Sequence, residues 1–305
     1  MLKQRVITAL VLVAILLPTL MVDAAWPFSM LSLLFMGAAG WEWSRLNDAP
    51  GRRAMLMGAA VVGACIYGAD VFGVPVWGSV MPRPLPPHVH DWLHAPVGFY
   101  VPAWFWQLAA CVWVIGGACV LRWGGQHWRL WADWPRRVLC LMLLVAAWLA
   151  LVDIKAQGGN FMLSVLCLVW AADISAYFGG RAFGRHKLAP SISPGKSWEG
   201  VWSGVVGVLF LALIWIWLDG RFGVDSPSLY SRLLLGLGPV GLVLSIVMLA
   251  GMSVVGDLFE SLVKRQAGAK DSSQLLPGHG GVLDRIDALL PVLPCSLALM
   301  TLCHG

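Results

Sequence analysis

Charge is scarce in this chain. Asp, Glu, Lys and Arg make up 12% of its 305 residues, about half the share in an ordinary soluble domain. Hydrophobic residues make up 59% and the mean hydropathy is +0.76. A water-soluble enzyme is excluded, because a packed core of this size has no use for so much apolar side chain. Cysteine is also sparse, with seven in all and no CxxC pair among them. An odd, scattered set excludes a disulfide scaffold and a cysteine zinc site, leaving the thiols as small apolar residues. No alternating apolar-polar segments are present, which excludes a membrane β-barrel. No inverted repeat is evident, which weighs against a transporter.

Long apolar runs are what the chain has in their place. They fall at about 6–22, 26–43, 54–78, 98–121, 137–153, 160–178, 201–218, 233–256 and 288–303, each near the roughly 20 residues that cross a bilayer as a helix. The fold class expected is all-α, a polytopic transmembrane bundle of about nine helices. Residues 1–155 would form an N-terminal bundle, and 156–305 a catalytic region with cytoplasmic loops 179–200 and 257–287. The first run, followed by Asp23, Ala24 and Ala25, is longer than a signal peptide's apolar stretch of about 7–15 residues and reads as a retained helix. Pro291 and Pro294 predict a kinked or short last helix.

The net charge of +5 and pI of about 8.9 could mark a nucleic-acid binder, but the distribution argues otherwise. If the runs alternate from an inside N-terminus, only Arg83, Lys155, Arg221 and Arg232 fall outside, and the other 17 of the 21 Lys and Arg lie inside. This is the positive-inside pattern of an N-in, C-out protein; no nucleic-acid partner is expected. Tryptophans near run ends (Trp41, Trp43, Trp123, Trp128, Trp131 and Trp134) read as an interfacial aromatic belt. His88, His90 and His94 with Asp91 lack a fourth ligand of obvious spacing and read as a plain outside loop.

Chemistry concentrates in the two long inside loops. In 257–287, Asp257, Ser261 and Lys264 would share a helix face at i, i+4 and i+7, and Asp284 and Asp287 another at i, i+3. The plain alternative is a solvated helix end with a Glu260–Lys264 ion pair. It leaves the Gly278-His279-Gly280-Gly281 turn unexplained, where backbone N–H groups could approach an anion. Carboxylates beside such a turn suggest a bridging Mg²⁺. Loop 179–200 carries Arg181, Arg185, His186, Lys187, Ser191, Ser193, Lys196, Ser197 and Glu199. Its Gly195-Lys196-Ser197 is no P-loop, since Pro190 stands where the first glycine belongs. Asp173 lies inside the sixth run, where an acid is a functional candidate by default. Asp70, in the third run toward the outside, reads as a helix-end acid. Gly200, Gly204 and Gly207 would let helices pack closely.

The run Ser261-x-Val-Lys264-Arg265-x4-Lys270-Asp271-x-Ser273-x2-Leu276-Pro277-x-His279-Gly280-Gly281-Val282-x-Asp284-Arg285-Ile-Asp287 closely resembles the signature of the phosphatidate cytidylyltransferase (CDP-diacylglycerol synthase) family. The stretch from Asp173 through Ala176-Tyr177 to Lys187-Leu-Ala-Pro190-x-Ile-Ser193-Pro194-Gly195-Lys196-Ser-x-Glu199-Gly200 is similar to a second region of that family, which in some members has a lysine where this chain has Gly195. The resemblance covers roughly the last 130 residues.

It implies a multi-pass enzyme of the bacterial inner membrane. Such an enzyme converts CTP and phosphatidic acid to CDP-diacylglycerol and diphosphate on the cytoplasmic side. It depends on Mg²⁺, with K⁺ alongside as an option, contacts membrane lipids, and is compatible with a homodimer. It also implies Asp257 and Asp284 as metal ligands; the neighbouring acids Asp287 and Asp271 are expected, from the residues themselves, to support them. Lys264, Arg265, Lys270 and Arg285 would neutralise triphosphate and diphosphate, Ser261 would lie among the substrate contacts, and His279, Gly280 and Gly281 would cradle phosphate. Arg185, Lys187, Ser193 and Lys196 are candidates for the phosphatidate head or the nucleotide, and Asp173 for a cation, ribose or base. Cytidylyl transfer to another lipid phosphate is the alternative within the class; a multi-pass transporter is the alternative outside it.

Overall fold

The computed structural model describes residues 2–22, 24–77, 100–123, 128 and 130–303. His88, His90, Asp91 and His94 lie outside the described residues. Every apolar run becomes a helix. In chain order these are α1 (Leu2–Met21), α2 (Ala25–Leu46), α3 (Gly51–Phe72), α4 (Ala103–Trp123), α5 (Asp133–Ala156), α6 (Gly159–Phe183), α7 (Trp198–Arg221), α8 (Leu229–Gln266) and α10 (Leu289–Leu302), with the single turn α9 (Leu283–Ile286) before the last. Between α6 and α7 lies a short antiparallel hairpin, β1 (Lys187–Ala189) and β2 (Ser193–Ser197). The sequence does not announce it, because three and five residues rich in Ser, Pro and Gly carry little strand propensity.

The protein is thus an all-α polytopic bundle, but the spans divide unevenly. Among the described residues six stretches are long and apolar enough to cross a membrane: Gly51–Phe72, Asp133–Ala156, Gly159–Phe183, Trp198–Arg221, Leu229–Gln266 and Leu283–Leu302. The apolar stretches of α1 and α4 are shorter, Leu10–Leu20 and Ala103–Cys119, and α2 is broken up toward its end by Glu42 and Arg45.

Local chemistry sets the helix limits. Ser197 caps α7 by accepting from the Gly200 N–H, and Ser228 caps α8 by accepting from the Ser231 N–H, each satisfying a donor that a helix start leaves open. Gly238, at φ 70° before Pro239, breaks α8 into a short first arm and a long second one. α10 is short, at 14 residues with Pro294 inside. Helices α6 and α7 approach closely, as their glycines suggest. A Cβ on Gly204 would lie 3.0 Å from the Ala172 carbonyl, and one on Gly207 would collide with Ser175 Oγ. α5 and α10 hold the middle of the bundle, where Trp148, Phe161, Leu149 and Leu297 are buried in one continuous core.

Candidate active site

The site is built on the last turns of α8, which run on as helix past Gly256 and carry Asp257, Glu260, Ser261, Lys264 and Arg265 before ending at Gln266. The stretch 257–266 is therefore helix, not loop, and helical spacing stacks its polar groups on one face. Behind them Phe259 is clamped by Trp43, Trp113 and Trp128, with ring centroids 5.5 to 5.7 Å away. Trp43 and Trp128 are buried, and their indole N–H groups donate to the Arg136 carbonyl and to Asn47 Oδ1. They support the site from the core and form no interfacial belt. Trp131 and Trp134 are exposed.

Lys264 is the hub of the first cluster. Its ammonium pairs with Glu260 one turn earlier and with Asp284 Oδ1 at 2.6 Å. The Glu260 side chain is only 2% exposed, so the ion pair expected of a solvated helix end is a buried one. Asp284 Oδ2 accepts from the Gly281 N–H at 2.7 Å, the Ser272 N–H at 2.8 Å and Ser272 Oγ at 2.9 Å. The positive φ of Gly280 and the crowding at Gly281, where a Cβ would meet Ser272 Oγ and the Glu42 carboxylate, explain why glycines occupy this turn. Arg285 closes it by donating through Nε to the His279 carbonyl at 3.0 Å.

A second cluster surrounds Asp257. Lys196, carried in by β2, places Nζ 2.7 Å from Asp257 Oδ2, and Ser261 Oγ donates to Oδ1 at 3.1 Å. Asp287 and Asp173 are electrostatic neighbours of Asp257, and Lys196 is a neighbour of both. A close approach of α8 to the 287–291 segment makes this possible, since a Cβ on Gly256 would collide with the Asp287 carbonyl and come within 2.9 Å of Pro291 Cδ. Arg265 holds the hairpin to α8 through the Ile192 carbonyl at 3.4 Å.

Asp257, Asp284, Lys264, Asp287, Lys196, Ser261 and Asp173 therefore assemble at one end of α6 and α8. Lys270 and Asp271 lie exposed on the loop above Asp284, and Arg185 and Lys187 are exposed on the hairpin side with Arg181. Ser193, at the first position of β2, is half-buried. The His279-Gly280-Gly281 turn is occupied differently from a phosphate cradle. Its Gly281 N–H serves Asp284, and the next two N–H groups, of Val282 and Leu283, serve Glu42. His186 and Glu199 pair across the base of the hairpin at 2.6 Å, and Glu199 also accepts from the Arg185 and His186 N–H groups. Asp70 is exposed near the end of α3, as a helix-end acid would be.

The residue that sequence reasoning missed is Glu42. It is fully buried near the end of α2 and accepts from Ser273 Oγ at 2.6 Å, Leu283 N at 2.7 Å, Val282 N at 2.9 Å and Ser272 Oγ at 3.1 Å. A lone acid in the second apolar run was the available signal, by the same rule that singles out Asp173.

Carboxylates outnumber ammonium groups here: Glu42, Asp173, Asp257, Glu260, Asp284 and Asp287 against Lys196 and Lys264. Among the described residues no three of them converge at metal-ligand spacing, because the two lysines stand between them. The donor set is all oxygen, and Asp257 has one donor on each carboxylate oxygen. That leaves lone pairs free and fits a hard divalent cation. Asp284 is more heavily engaged, with three donors on Oδ2 and Lys264 on Oδ1.

Comparison with known proteins places the chain in a family. A profile described as the cytidylyltransferase family matches residues 3–303. A protein of Pseudomonas aeruginosa named phosphatidate cytidylyltransferase is 37% identical over 98% of this chain and 97% of its own length. A protein of that name from Haemophilus influenzae is 49% identical over 45% of this chain and 44% of its own, and one from Thermotoga maritima 40% identical over 48% and 52%. With the match running through the N-terminal helices as well as the polar cluster, the chain belongs to the cytidylyltransferase family.

Proposed function

We propose that this chain transfers the cytidylyl group of CTP to phosphatidate, forming CDP-diacylglycerol and diphosphate in phospholipid synthesis. The reaction would take place at the cytoplasmic face of a bacterial inner membrane. The observation that carries this reading is the paired cluster around Asp257 and Asp284, at the end of an apolar bundle, in a chain of this family. A phosphate oxygen of phosphatidate attacks the α-phosphorus of CTP. A new P–O bond forms, the bond from that phosphorus to the bridging oxygen breaks, and diphosphate leaves with the electron pair. The second pKa of a phosphate monoester is near 6, so most of the nucleophile is ionised at neutral pH and the site needs no strong general base.

The main task is to bring two anions together and to stabilise charge on the leaving diphosphate. Lys264 and Lys196 are the ammonium groups held inside the cluster, and Arg265, Lys270 and Arg285 stand at its rim for the triphosphate. Asp257 and Asp284, with Asp287 beside Asp257, are the residues that would hold Mg²⁺. The ion would draw the phosphate oxygens together and offset their charge. Arg185 and Lys187, on the exposed hairpin, suit the phosphatidate head at the membrane surface. A homodimer in contact with lipid belongs to the same reading, supported by the many exposed apolar side chains on the helices.

The test is to incubate the purified protein with phosphatidate and α-labelled CTP, with and without Mg²⁺, and to follow label into the organic phase. Mg²⁺-dependent lipid label is expected. Bound CTP without lipid label would point to a different lipid phosphate as acceptor, and absence of both would overturn the reading.

A further inference from the structure

Glu42 belongs to the half of the chain that carries none of the polar loops, yet it reaches 230 to 241 residues along the sequence to four groups of the 272–283 segment. A fully buried carboxylate is tolerated only when its oxygens are satisfied by hydrogen bonds, and all four donors come from that one segment. Two of them, the Val282 and Leu283 N–H groups, are open donors at the start of α9, which a carboxylate satisfies. Asp284 is the next residue. Ser272 Oγ lies 3.1 Å from Glu42 Oε2 and 2.9 Å from Asp284 Oδ2, so one hydroxyl joins the two carboxylates. A hydroxyl has a single proton to donate. Glu42 therefore fixes the backbone on which Asp284 is mounted and shares with Asp284 the one proton of the Ser272 hydroxyl, so the two carboxylates are coupled through it.

We propose that Glu42 is a positioning residue for the transfer reaction. From the N-terminal bundle it sets the orientation of Asp284 through Ser272 and the amides of 282 and 283. This rests on the cytidylyl-transfer reading above, and the wild-type protein in the same assay separates the two ideas. A wild-type enzyme that makes no lipid label fails that reading and leaves Glu42 to be judged with the correct acceptor.

The experiment compares Glu42→Gln, Ser272→Ala, the double variant and Asp219→Asn in detergent. It records kcat, KM for each substrate and thermal unfolding. Asp219→Asn is the control for simple destabilisation, since that side chain lies at the far end of α7. Loss of a support behind a reacting group costs about 10- to 100-fold in activity. Glu42→Gln is expected to lower kcat by about that factor with both KM values within roughly threefold. Ser272→Ala, which leaves Glu42 three of its four donors, should show the same split to a smaller extent. The double variant should be no worse than Glu42→Gln, because residues acting through one contact are not additive. If Glu42→Gln does not fold, Ser272→Ala still decides, since wild-type kcat in that variant overturns the proposal. Additive losses in the double variant also overturn it, as does a loss in Glu42→Gln that Asp219→Asn reproduces at equal destabilisation.

Discussion

Helices α6, α7 and α8 are polar at both ends, and the two ends treat a buried carboxylate differently. At the end away from the site, Asp219 accepts from Asn160 Nδ2, the Ser228 N–H and Ser231 Oγ at 2.6 to 2.9 Å. Asn160 passes the network on to the Ser226 carbonyl and to Trp215. Every donor to Asp219 is neutral, and each comes from an element that the network ties to α7. At the site end the carboxylates lie among one another and are held by two lysines. The first arrangement is complete in itself and clamps three helices. The second gathers more carboxylates than the two lysines pair with, an all-oxygen set that suits a hard cation. Buried polarity at one end of this protein serves the fold, and at the other it is poised for a ligand.

The largest expected effect tests the site end. Asp257→Ala and Asp284→Ala should each lower kcat by about 10³-fold, the upper range for removing one electrostatic element of an active site, while the protein still extracts and elutes as folded bundle. Near-normal turnover in either would end the assignment of that acid. Lys264→Gln comes next, because it leaves Glu260 and Asp284 without their shared ammonium. Breaking a buried pair from one side costs about 3–5 kcal/mol, so unfolding in denaturant should come markedly earlier and activity should fall as well.

The sequence already displayed much of this contrast. The nine apolar runs are helices because apolarity is a local property, although α10 has only 14 residues, and the inside loops are recognisable as polar segments in an apolar chain. The pairing of Lys196 with Asp257 was not legible, although both residues stood out, because it depends on a hairpin of eight strand residues with weak propensity. Glu42 escaped because its donors lie more than two hundred residues away, and spacing along the chain carries no information about such a contact. Trp43 and Trp128 were misread for a related reason. Position near a run end suggests an interface, but the rings turn inward onto Phe259, and only packing decides which way a tryptophan faces.

The far end supplies the smaller effects, and these sharpen the comparison. Asp219→Asn replaces a carboxylate that accepts three hydrogen bonds with an amide whose NH₂ must face donors. An unsatisfied buried polar group costs about 1–3 kcal/mol, so thermal stability should fall while kcat and KM per folded molecule stay at wild-type values. A change in kcat would mean the two ends are coupled, and the contrast drawn above would fail.

Asp225 offers the mildest version of the same test. It accepts from the Gly159 and Asn160 N–H groups at 2.5 and 2.9 Å, capping α6 from a neighbouring loop because Gly158, at the cap position, has no side chain to do so. Loss of a helix cap costs about 1 kcal/mol, so Asp225→Ala should shift the unfolding midpoint slightly and Asp225→Asn, which keeps one acceptor oxygen, less. Asp173 stands on the same helix nearly four turns further along, so a frayed first turn of α6 should not reach it. Unchanged kcat with a lowered midpoint would show that the helix carries a structural load at one end and a chemical one at the other, with little communication between them.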